Sequence, residues 1–163
     1  MAKIYFICGF IGSGKTTYAK QLAESAPAVR LSIDEWMIPL YGEHMQRDVF
    51  DARLNTLMTL FKETAQQMLT LGVSVIFDFG FWTQNERIQF QAWAANLGVK
   101  SELIYLDVSF ELCCERALNR NHQRADKSYE MNNEMLTMFW SWFEAPSRAE
   151  AATIITSQSS LQV

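Results

Sequence analysis

The sequence predicts an α/β domain with a five-stranded parallel sheet between layers of helix, and three observations predict it. First, β-like runs at Lys3–Cys8, Val29–Ile33, Val73–Phe77 and Leu103–Leu106, with a weaker one at Ala152–Ile155, are separated by helical stretches. That alternation is expected of parallel strands joined by right-handed crossovers. Second, the first run leads through a glycine-rich loop straight into a helix. Third, the next three runs each end at an acid: Asp34, Asp78 and Asp107. In a parallel sheet these ends share one edge, where open α/β sheets bind their ligands.

Each element has a local cause. Lys3–Cys8 is short, apolar and rich in β-formers, and Thr17–Glu24 behind the glycine loop reads as helix. Asp48–Leu71 carries apolar residues at helical spacing, among them Leu54, Leu57, Met58, Phe61, Ala65 and Met68, before Gly72 stops it. Thr83-Gln84-Asn85-Glu86 is a capping box opening a helix that runs to about Asn96, with Gly98 just beyond. Ser109 can cap the next helix, Phe110–Leu118. A last helix is expected over Ser128–Glu144, ended ahead of Pro146. The chain reads as one domain, residues 1–163, because 163 residues at 49% hydrophobic can fill one core and leave none for a second.

Composition narrows the function classes. No run approaches the length of a membrane span, and the first apolar run lacks the basic flank of a signal peptide. Cys8, Cys113 and Cys114 are odd in number and lack metal spacing, which fits a reducing cytoplasm. A net charge of −4 argues against a long nucleic acid as main partner, since such binding rests on many phosphate contacts. A single nucleotide or a polymer end stays open.

Gly9-Phe10-Ile11-Gly12-Ser13-Gly14-Lys15-Thr16 fits G-x-x-x-x-G-K-[ST] between a strand and a helix. Glycines there let successive backbone N–H groups turn inward around a β-phosphate, and the helix N-terminus adds positive field. The expected nucleotide contacts are Gly9, Ile11, Gly12, Ser13, Gly14, Lys15, Thr16 and Thr17. Lys15 reaches the β- and γ-phosphates and the Thr16 hydroxyl ligates Mg²⁺ in this motif. The plainer reading, a glycine turn capping a helix, does not account for the lysine and threonine. A GTPase lacks its N-K-x-D motif here, and Gly9, Gly12 and Gly14 do not give the G-x-G-x-x-G of dinucleotide binding.

With these residues in place the chain resembles the small P-loop kinases, adenylate and shikimate kinases broadly. It is more closely similar to the zeta-toxin, chloramphenicol-phosphotransferase and polynucleotide-kinase-like group, over roughly residues 3–156. The resemblance rests on the phosphate loop, on Ser32-Ile33-Asp34 and on a basic segment late in the chain. It implies a P-loop NTPase fold of three α/β/α layers with a small helical lid at about 117–130. It makes Asp34 the base facing the acceptor hydroxyl, although a helix N-cap is the plainer role. Asp78 resembles the third-strand carboxylate that orients Mg²⁺ water or holds the acceptor, against a simple turn before Gly80. Arg116, Arg120 and Arg124, spaced by four, resemble lid arginines: Arg120 and Arg124 on the phosphates, Arg116 on the adenine. A solvated basic stripe is the ordinary alternative.

One departure bears on the acceptor. Relatives carry an arginine a few residues past the base, where this chain has Ile38 and Pro39; Arg47 is the nearest substitute, with a surface role its equal alternative. Trp36, Tyr41, Phe79, Phe81 and Trp82 suggest apolar or ring-stacking walls for the acceptor pocket. The function this implies is an ATP- and Mg²⁺-dependent phosphotransferase acting on a hydroxyl of a small molecule or nucleotide-like acceptor. Its alternatives are a nucleotide-dependent switch, a toxin-type kinase or a polynucleotide 5′-hydroxyl kinase. The expected partners are ATP and that acceptor, with no membrane, in a cytoplasmic monomer or dimer.

Overall fold

The computed structural model describes residues 1–122 and 129–156. Five strands run parallel in the order β2-β3-β1-β4-β5: β1 (Ile4–Cys8), β2 (Ala28–Ser32), β3 (Ser74–Gly80), β4 (Ser101–Asp107) and β5 (Thr153–Thr156). The helices are α1 (Lys15–Ser25), α2 (Ile33–Tyr41), α3 (Arg47–Thr70), α4 (Gln84–Asn96), α5 (Phe110–His122) and α6 (Asn133–Trp142). No helix among the described residues is long and apolar enough to cross a membrane.

Alternation along the central strands builds the layers. Ile4, Phe6 and Cys8 of β1 face one side with Val75, Phe77, Leu103 and Tyr105, under α2, α3 and α4. Tyr5 and Ile7 face the other side with Ile76, Ile104 and Leu106, under α1. A third cluster joins the phosphate loop to α5 and α6 through Phe10, Cys113, Ala117 and Leu136. Phe10 anchors it, with the ring of Trp140 edge-on at 5.0 Å and that of Trp82 at 5.4 Å. The loop is thus fastened to the core by its own second residue.

Boundaries moved where capping chemistry decided them. Ile33, expected to end a strand, begins α2 instead, so Asp34 lies in that helix's first turn. The last helix starts at Asn133, five residues past the expected Ser128, because the Asn132 side chain accepts the Met135 N–H at 2.9 Å and caps it there. Conversely α5 runs past Leu118 to His122, and Ser109 does cap it, accepting from Leu112 N at 3.2 Å. Gly72 and Gly98 take positive φ (81° and 69°) just past the ends of α3 and α4.

Candidate functional site

β1 ends in the glycine loop, whose shape is fixed by two close approaches. Gly9 N donates to the Gly80 carbonyl at 3.0 Å, and a side chain at Gly12 (φ 78°) would collide with the Cys113 carbonyl of α5. Gly14 (φ 93°) is the N-cap of α1 and offers no side-chain cap, so the first-turn N–H groups of α1 stay open to an anion. The Ser13 hydroxyl is buried inside the loop with no partner. Lys15 Nζ turns back to the Phe10 carbonyl at 3.2 Å. Ile11 is half-buried and Thr17 exposed at the loop's rim. An uncapped helix start, an orphaned hydroxyl and a lysine resting on the loop's own carbonyl together fit a phosphate chain.

Beside the loop lies a carboxylate network. Asp78 pairs with Ser32 in register, so the ends of β3 and β2 stand together. Its buried Oδ2 accepts the Thr16 hydroxyl at 2.9 Å and Arg30 Nη1 at 3.2 Å, while Arg30 Nη2 reaches Glu35 at 2.6 Å. No group of three or more His, Cys, Asp or Glu side chains suited to a metal exists among the described residues. Thr16 and Asp78 match what Mg²⁺ uses when phosphates supply its other ligands: one or two protein oxygens, the rest water and substrate.

Asp34 sits at the start of α2 next to this network. As a residue it is exposed, while neighbouring protein atoms desolvate its carboxyl. Burial raises its pKa, Lys15 lowers it, Asp78 raises it, and Arg120 lowers it. Those influences bring Asp34, Lys15, Asp78 and Arg120 into one electrostatic neighbourhood. Arg116, half-buried on α5, reaches the Ser13 carbonyl at 3.5 Å, and Arg120 is exposed one turn further on. Arg124 lies outside the described residues, as does most of the expected lid.

Several sequence expectations are corrected. Phe81 is fully buried between Phe6 and Phe90, Phe79 packs on Phe77, and Trp82 Nε1 donates to the Gly9 carbonyl at 3.1 Å. These three brace the loop and the core; of the expected acceptor walls only Trp36 and Tyr41 are exposed. Arg47 ion-pairs with Asp51 at 3.1 Å on the surface of α3. Asp107, by contrast, ends β4 as expected, beside a cavity of about 570 Å³, and accepts the Tyr105 hydroxyl at 3.4 Å, while Ser109 caps α5 as the sequence indicated.

Three residues escaped the sequence reading. Arg30 ties Asp78 to Glu35. Tyr129 has a buried hydroxyl without a partner, pushed up to about 12 by burial and then by the charges of Asp34 and Glu43. Arg87, 1% exposed, donates to the carbonyls of Phe81 and Glu144 at 2.8 Å and pairs with Glu150 at 2.6 Å. It holds the left-handed Gly80–Phe81 turn beneath the phosphate loop. Its partners at 144 and 150 are distant in sequence, so no local pattern could reveal it.

Solved structures share this architecture. A candidate kinase from Chloroflexus aurantiacus superposes with TM-score 0.72 at 20% identity, covering 99% of this chain and 87% of that one. Kti12 from Chaetomium thermophilum, solved with ADP-AlF3, gives 0.69 at 19% identity over 98% and 94%. The Mycobacterium tuberculosis APS kinase CysC, solved with AMPPNP and APS, gives 0.68 at 15% identity over 96% and 88%. No curated protein matches the chain at the sequence level. One family model does, described as an AAA domain, and it aligns to residues 4–146. The chain belongs to that AAA domain family, with the parallel sheet and phosphate loop of the fold that these solved structures share.

Proposed function

We propose that the protein transfers the γ-phosphoryl group of Mg·ATP to a hydroxyl of an acceptor, with Asp34 as base. The observation that carries this reading is that Asp34, in the first turn of the helix after β2, lies within electrostatic reach of Lys15, Asp78 and Arg120 beside the phosphate loop. A phosphate-binding loop alone suits any nucleotide protein. A carboxylate beside the γ-phosphate position, outside the Thr16–Asp78 pair, is what an alcohol acceptor requires.

Residues 9–17 bind the triphosphate, with Ile11, Gly12 and Gly14 giving backbone N–H groups and Lys15 its charge, while the Gly9 and Ser13 N–H groups are held by the carbonyls of Gly80 and Phe10 and shape the loop. Thr16 and Asp78 are the residues that would hold Mg²⁺, directly or through water, and the ion would supply charge neutralisation on the transferring group. Arg116 of α5 serves the adenine and Arg120 the phosphates, with Arg124, outside the described residues, assigned to the phosphates as well, and the lid of this single domain would exclude water from the transfer. Asp34 takes the acceptor's proton. Positioning and electrostatics carry most of the rate, so few residues suffice.

Transfer from γ-labelled ATP into hydroxyl-bearing compounds, compared between parent and Lys15→Ala, tests the reading. Label should pass to an acceptor only in the parent, and the variant should lose nucleotide affinity while keeping its fold. Equal ATP affinity in both proteins would remove the phosphate-loop assignment.

A further inference from the structure

Across β1 from Asp34, the sheet edge carries a second opening. Strand order puts β2 and β3 on one flank of β1 and β4 on the other. At the end of β4, between the start of α5 and the end of α6, lies a cavity of about 570 Å³, within the roughly 300–1,000 Å³ usual for small-molecule sites. Tyr105, Phe110, Trp140 and Phe143 wall it. Their rings stand in a row, Phe110 to Trp140 at 5.0 Å, Trp140 to Phe143 at 5.6 Å and Phe143 to Tyr105 at 6.2 Å. Phe10 of the phosphate loop, 1% exposed, packs on Phe110, Trp140 and Phe143 without lining the cavity. A buried ring thus stands between this opening and the phosphate loop.

Its charge has one sign. Asp107 and Glu111 line the cavity, both exposed, and no lysine, arginine or histidine among the described residues does. Asp107 accepts the Tyr105 hydroxyl, which burial and the Asp107 charge keep protonated. Ser109 caps α5, so Asp107 has no capping duty. Arg87 is spent on Glu150, and Arg148, exposed on the turn that follows α6, does not reach the lining. Residues 157–163 continue from Thr156, the β5 partner of Asp107, and their sequence holds no cation. Residues 123–128 do hold Arg124 and Lys127, but both ends of that segment are fixed at the far end of α5. There Asn121 donates to the Met131 carbonyl at 2.6 Å and accepts its N–H at 3.1 Å, roughly 16 Å of helix beyond Phe110. The start of α5 and the end of α6 meet at the cavity with opposite fields. The two carboxylates set its sign.

We propose that this cavity binds a small organic cation, an alkylammonium or guanidinium group laid on the ring row with its charge against Asp107 and Glu111. Ring faces attract a cation through their quadrupole, and the carboxylates give it charge-assisted partners. A neutral molecule of the same shape forfeits both attractions, an anion meets two acids, and a bare metal ion gains nothing from four rings. Cation and nucleotide occupy separate spaces on opposite sides of Phe10. The site stands whether or not the chain transfers a phosphoryl group.

Calorimetric titration of the full chain decides it, with choline, agmatine and 3,3-dimethylbutan-1-ol, the uncharged carbon analogue of choline. At least one of the two cations should bind with a dissociation constant of about 1 mM or tighter, and choline should exceed its analogue by roughly tenfold. The double variant Asp107→Asn, Glu111→Gln should weaken the cation by roughly tenfold or more. Its thermal midpoint should match the parent's, because both side chains are exposed. Binding should persist in saturating Mg·AMPPNP. No binding of either cation, equal binding of the alcohol, or an affinity unchanged in the double variant would each overturn the proposal. A midpoint several degrees lower in that variant would do the same, since the carboxylates would then serve the fold. Full displacement of the cation by Mg·AMPPNP would assign the cavity to the nucleotide and overturn it as well.

Discussion

At Asp34 the environment works against the charge that a base needs. Burial raises this carboxyl above its ordinary 3.8, and Asp78 and Glu35 add to the rise against Lys15 and Arg120. The folded state therefore holds a proton there more tightly than the unfolded chain does. Its contribution to stability is fully present below the ordinary carboxylate range and is lost as pH rises through the raised value. Asp34→Asn should consequently unfold at a higher temperature than the parent at pH 8, with the gap closing on acidification toward pH 3; a constant gap across a pH series of melts would contradict this. The same variant should keep nucleotide binding and lose transfer by roughly 10²–10⁴, the usual share of a general base. Parent activity should fall on the acid side at a pH above the usual carboxylate range, which a pH–rate profile would read directly.

Among the elements, the loop between β3 and α4 is the part that no sequence pattern announced, and it carries the phosphate loop on its back. Gly80 accepts the Gly9 N–H, Trp82 donates to the Gly9 carbonyl, and Arg87 grips the turn from beneath. Arg87 and Glu150 have side-chain exposures of 1% and 6%, so deleting either partner strands a charge in the interior. Glu150→Gln should cost about 3–5 kcal/mol near neutral pH, the usual penalty for breaking a buried pair. Burial pushes the Glu150 carboxyl up, but the Arg87 and Ser147 hydrogen bonds outweigh it and hold the pKa low. The pair's stabilisation is therefore present above the ordinary carboxylate range and is lost as pH falls through the lowered value. Urea melts of parent and variant should converge only at strongly acid pH. Gly12→Ala belongs to this scale too. The added methyl meets the Cys113 backbone at a positive φ, so nucleotide affinity should collapse in titration along with the loop's seat on α5.

For the whole molecule, a ligand that binds only the folded chain must raise its melting temperature. Mg·ATP at 100 times its dissociation constant stabilises by about 2.7 kcal/mol, or roughly 5–10 °C for a domain of this size. Lys15→Ala should abolish that shift in a thermal scan while leaving the nucleotide-free midpoint in place. By itself the sequence determined the five strands, the helices other than α2, the phosphate loop and its helix, since these rest on local periodicity, on Gly9–Thr16 and on capping residues such as Thr83 and Ser109. It also determined that acids gather at the strand ends, because parallel strands share one edge. The tertiary structure alone decided which of the aromatics are core. It also decided that Asp34 lies in a helix's first turn, that Arg30 and Arg87 are spent on Asp78 and Glu150, and that Tyr129 falls within electrostatic reach of Asp34. Those outcomes depend on pairs separated by up to about a hundred residues, whose meeting is set by packing the sheet and its helices together, and no local pattern encodes a distance across the fold.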